Sequence, residues 1–68
     1  MKTSKEMMME SFNEAIKNCY TMLEDDSKTN AAFFRGVAQG LATAMFFSEA
    51  ITHAEYTELC NVIYNTIK

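Results

Sequence analysis

Proline does not occur in this chain, and glycine occurs only twice, at Gly36 and Gly40. Tight β-hairpin turns draw heavily on glycine and its partners. Strands joined by turns therefore have little to build with, and the expected fold class is all-α. Basic residues are equally thin. Lys2, Lys5, Lys17, Lys28, Arg35 and Lys68 are scattered among nine acids, for a net charge of −3. A nucleic-acid binder carries a basic stripe, so neither nucleic acid nor an anionic membrane is an expected partner. With two cysteines, Cys19 and Cys60, and one histidine, His53, there is no disulfide framework and no four-ligand zinc set. The opening MKTSKEMMMESFNEA has no continuous apolar run of the signal-peptide kind, which places the expected location in the cytoplasm.

What is present is concentrated between Ala31 and Ser48, AAFFRGVAQGLATAMFFS, where Arg35 is the one charge. Ala32, Gly36, Gly40 and Ala44 are four apart, so on a helix they form one ridge of small residues. A glycine inside a helix costs roughly 1 kcal/mol relative to alanine. Two of them one turn apart call for a compensation, and close approach of another helix supplies it. A membrane span needs about 20 predominantly apolar residues, and Arg35, Gln39 and Thr43 interrupt this stretch. At about 100° per residue, Phe33, Phe34, Val37, Ala38, Leu41 and Met45 form a broad apolar arc. The ridge lies beside that arc, with Phe33 and Phe47 at its edges. Arg35, Gln39 and Ala42 occupy a narrow polar sector into which Phe46 also falls. A helix apolar round most of its circumference is one buried on several sides.

The flanking segments read as two more helices. The first is expected over about residues 4–23, opened by a capping box between Thr3 and Glu6. Its core stripe is Met8, Met9, Phe12, Ala15, Ile16, Cys19 and Leu23, and Met7 is the large apolar residue on its wet face. The acids Glu24, Asp25 and Asp26 oppose a helix C-terminus, so the helix should stop there. The run lacks the glycine and distal glutamate of a calcium loop. The middle helix is expected over about residues 30–49, capped by Ser27, Thr29 or Asn30. The third is expected over about residues 53–67. Thr52 and Glu55 make its capping box, Ile51 and Tyr56 its hydrophobic staple, and Tyr56, Leu59, Cys60, Ile63 and Ile67 its core stripe.

No catalytic, cofactor-binding or metal-ligating set emerges. Both cysteines fall on core stripes, where a free thiol behaves as a small hydrophobe. His53 and Cys60 are separated by about 10 Å along their helix, too far for a nucleophile and its base. A helix-turn-helix reading would place Glu55 and Glu58 on the DNA-reading helix, where phosphate contacts require Lys and Arg. The pattern Phe34, Gly36, Gly40-Leu41, then Ile51-Thr52, Glu55-Tyr56 and Leu59, confined to residues 33–60, resembles small helical proteins carried by bacterial phages and plasmids. That resemblance implies an inhibitor or regulator that docks on another protein.

The expectation is therefore a single all-α domain, a three-helix bundle with an apolar middle helix. Helices 1 and 3 would cover its large-residue arc. A second copy would take the ridge, because a core of this size rarely supplies more than ~3–5 kcal/mol. The candidate interface is Ala32, Arg35, Gly36, Gln39, Gly40, Ala44, Phe46 and Phe47. The expected role is a non-enzymatic protein–protein interaction module working as a homodimer, without cofactor or metal. The alternatives are a small DNA-associated transcriptional regulator and a subunit of a larger enzyme or assembly.

Overall fold

A computed structural model describes residues 1–66. It contains three helices, α1 (Ser4–Glu24), α2 (Lys28–Phe47) and α3 (His53–Asn65), and no strand among the described residues. α1 starts where the sequence places it. The Glu6 amide donates to Thr3 Oγ1 at 3.1 Å, and the Thr3 amide donates back to Glu6 Oε1 at 3.2 Å. The same reciprocal box opens α3, between Thr52 and Glu55, at 3.1 and 2.9 Å. Each box satisfies two amides that a helix start otherwise leaves to water.

The two helix ends are built on a device the sequence conceals. At the end of α1, the Ser27 amide reaches back to the Met22 carbonyl at 2.7 Å, and the Asp26 amide to the Leu23 carbonyl at 3.1 Å. At the end of α2, the Ala50 amide bonds Met45 at 2.9 Å and the Glu49 amide bonds Phe46 at 3.1 Å. Both are Schellman closures, which need one residue in the left-handed region, usually glycine. Here Asp26 (φ 60°) and Glu49 (φ 63°) take that place. These closures correct the expected boundaries of the middle helix: it starts two residues earlier and stops at Phe47. Ser27 stands at its N-cap position without bonding a helix amide; its hydroxyl accepts from the Asn30 side chain at 2.9 Å. Ile67, the last residue of the expected α3 stripe, lies outside the described residues.

Three residues join α1 to α2, so the two helices fold back on each other as an antiparallel hairpin. α3 turns back over the second half of α2. The Cα positions extend 35 × 26 × 12 Å. The core runs through Phe12, Ala15, Ala38, Ala42, Met45, Ile51 and Ile63. Phe12, Ala15 and Cys19 of the expected α1 stripe are buried; Met8, Met9, Ile16 and Leu23 are half-buried.

The expected orientation of α2 needs correction. Ala38 and Met45 of the predicted large-residue arc are buried, but Phe34 and Leu41 are only half-buried, and Phe33 and Val37 are exposed. Ala42, assigned to the polar sector, is 0% exposed, and so is Ala31. Phe46, expected to face outward, is half-buried and packs on the core. The physical reason is distance. Helices can approach closely only where side chains are small, and the Ala31, Ala38 and Ala42 side offers that approach to α1. On a helix apolar all round, periodicity alone does not choose the inner side.

Candidate functional site: the outer face of α2

The side of α2 turned away from α1 and α3 carries a group of exposed apolar side chains. Phe33 is 65% exposed, Phe47 78% and Val37 38%. Between them lie Gly36, Gly40 and Ala44, also exposed. The positions 33, 37, 40, 44 and 47 advance by 4, 3, 4 and 3, the spacing of a helix–helix seam. A methyl group added at Gly36 or Gly40 would meet nothing within 4 Å, so none of the described residues rests on the small ridge at these positions. The charged residues of α2 are Lys28 and Arg35. Helical spacing places both on the opposite side, so the outer face is uncharged.

The expected interface residues divide into two groups. Ala32, Gly36, Gly40, Ala44 and Phe47 are exposed. Arg35, Gln39 and Phe46 are half-buried, and two of them are engaged with α3. The Gln39 amide nitrogen lies 3.2 Å from the Tyr56 hydroxyl and 3.3 Å from Thr43 Oγ1. The Phe46 ring stacks on Tyr56, with centroids 4.8 Å apart and an interplanar angle of 21°, and meets His53 edge-on at 5.9 Å. A Tyr56–Phe46–His53 cluster thus fastens the start of α3 to the end of α2. Sequence reasoning set Phe33 at the edge of the small ridge but counted it, with Val37, in the arc to be covered by α1 and α3; both are exposed. The signal that locates them is the opposite one: Ala31, Ala38 and Ala42 mark the side of close packing. Met7 of α1 and Val62 of α3, each pointing away from its own helix's core stripe, are 52% and 39% exposed.

Beside the outer face, Phe34 and Val37 line an open groove with Ser11, Glu14, Ala15 and Asn18 of α1, about 200 Å³ in volume. Small-molecule sites are enclosed clefts of roughly 300–1,000 Å³, and this groove is neither enclosed nor that large. Cys19 is buried and Cys60 half-buried, both as free thiols. Among the described residues no three His, Cys, Asp or Glu side chains gather where they could hold a metal ion. No helix among them is long and apolar enough to cross a membrane.

One carboxylate is electrostatically distinct. The Thr52 amide donates to Glu55, and Lys5 of α1 lies 3.7 Å from the Glu55 carboxylate. The backbone hydrogen bond first, and then the ammonium, hold this carboxyl below the ordinary glutamate range. Glu55 therefore ties the first turn of α3 to the first turn of α1, while remaining open to solvent.

No known family model matches the chain, and no curated protein or solved structure matches it either.

Proposed function

We propose that this chain is a non-enzymatic protein-interaction module of the cytoplasm whose working surface is the outer face of α2. The observation that supports the reading is the combination of exposed Phe33 and Phe47 with an uncharged stripe of small residues between them. Interface cores are depleted in charge and enriched in aromatic residues. Contiguous apolar surface on a small protein marks a contact site. The resemblance of residues 33–60 to phage- and plasmid-borne helical proteins makes inhibition or regulation of the bound protein the natural consequence of such docking.

The test compares the protein with a Phe33→Glu/Phe47→Glu variant as immobilised bait in lysate of the source cells. Both side chains are largely solvent-exposed, so the variant should keep its helical circular dichroism. A specific protein retained by the unaltered chain and lost by the variant is the expected result. Equal retention by the two baits, or no specific retention by either, would count against the outer face as the working surface.

A further inference from the structure

We infer that the outer face of α2 is covered by α2 of a second copy of this chain, running antiparallel, with a two-fold axis through Gly40. This rests on the proposed function and names a partner for the same face, one that any other docking protein must displace.

The face is nearly symmetric along the helix. Seven residues to either side of Gly40 stand Phe33 and Phe47; four to either side stand Gly36 and Ala44. A two-fold interface requires one patch to be its own complement. Antiparallel pairing about Gly40 meets that condition, because it sets each Phe33 beside the partner's Phe47 and each Gly36 beside the partner's Ala44. The small residues at the crossing let the backbones approach, and the phenylalanines close the contact at both ends.

Area and charge support the same occupant. With about 200 Å² for a whole phenylalanine and less for valine, the exposed fractions of Phe33, Val37 and Phe47 give roughly 350 Å² per copy. The exposed Gly36, Gly40 and Ala44 add to this, and complete cover of the face would bring the pair toward the ~1,000 Å² expected of a specific interface. The chain has a net charge of −3, and two copies repel over most of their surface; the uncharged outer face lets them meet without opposing like charges. A parallel pair would match like residues too, but it would align the two helix dipoles, whereas the antiparallel pair opposes them.

Light scattering on the unaltered protein, from micromolar to millimolar concentration, is expected to show a species of twice 7.7 kDa. Gly40→Leu is expected to remain helical and become monomeric, since Gly40 is exposed and a Cβ added there meets nothing within 4 Å, while a second helix on the ridge leaves no room for a large side chain. Orientation is read by disulfide trapping with diamide, with buried Cys19 kept and Cys60 replaced by alanine. Gly40→Cys should link to itself. Phe33→Cys should link to Phe47→Cys in a mixture, while neither links alone. Self-linking of Phe33→Cys would overturn the antiparallel arrangement, and a dimer that persists in Gly40→Leu would overturn the location. A monomer at every concentration would overturn the self-association itself. That last result would leave the proposed function to its own bait experiment, so the two fail separately.

Discussion

The two sides of α2 are both apolar, yet they are built in opposite ways. The inner side is mostly alanine, with Ala31, Ala38 and Ala42 fully enclosed and Met45 filling the space between helices. The outer side holds two exposed phenylalanines around a trough of glycine and alanine. Hydrophobicity therefore does not decide which side becomes the core. Size does: the tightest helix pairing within the chain uses the smallest side chains, and the large rings are displaced outward.

Truncation is the strongest way to break this comparison. Met45→Ala should cost about 2–5 kcal/mol, enough to unfold much of a chain whose core supplies only ~3–5 kcal/mol. Phe47→Ala, which removes a larger side chain from the outer side, should change the stability of the protomer by no more than ~0.5 kcal/mol. Urea titration at low protein concentration measures both. Similar losses would mean that the two sides are not distinct.

Enlargement should give opposite signs. Ala42→Leu overpacks the inner side and should cost about 1–3 kcal/mol. At exposed Gly40 an added Cβ meets nothing within 4 Å, so Gly40→Leu should gain up to ~1 kcal/mol of helix propensity. With about 4–8 °C of melting temperature per kcal/mol for a domain of this size, thermal melts of dilute samples separate the two. Any destabilisation by Gly40→Leu that appears only at high concentration must come from another chain.

The closure that ends α2 sharpens the comparison next, because it folds Ala50 back toward Met45 and seals the inner side. Glu49 holds a left-handed conformation that costs a non-glycine residue about 1–2 kcal/mol, and its charge opposes the helix C-terminus. Glu49→Gly should stabilise the protein by about 1 kcal/mol, and an unchanged melting temperature would show that the left-handed residue is not strained.

The smallest effect concerns pH and the seating of α3. Glu55 has its carboxyl lowered in the folded protein. Its contribution is then fully present above the ordinary glutamate range and is lost as pH falls through the lowered folded value. Glu55→Gln should flatten that part of the stability–pH curve. An identical acid limb in the variant would show that the pairing with Lys5 and the Thr52 amide adds nothing to stability.

The sequence made both capping boxes legible, because their residue types and spacing specify a bonding pattern that needs no tertiary context. The same holds for the all-helical fold and for the core stripe of α1, whose polar face leaves one choice of inner side. The orientation of α2 was not legible, since apolar residues surround it and only the approach of α1 selects a side. The two Schellman closures were hidden because aspartate and glutamate occupy positions where glycine is the usual signal. Phe46 was misplaced for a related reason: its sector is polar when α2 is considered alone, and only Tyr56 and His53 of α3 make that sector an interior. The ridge of Gly36, Gly40 and Ala44 was visible in the sequence, and it does lie uncovered within the protomer.

The glycines also determine where α2 is soft. Helices ordinarily loosen from their ends, where backbone groups lack partners. In α2 the start is joined to α1 by a closed turn and the end is clasped by Ala50 and the Phe46–Tyr56 stack, while two unshielded glycines sit near mid-length. The turn between Gly36 and Gly40 is thus the place where local opening takes least energy. In the free protomer its amide hydrogens should exchange with solvent faster than those nearer either end, and a helix laid across the ridge should slow them first.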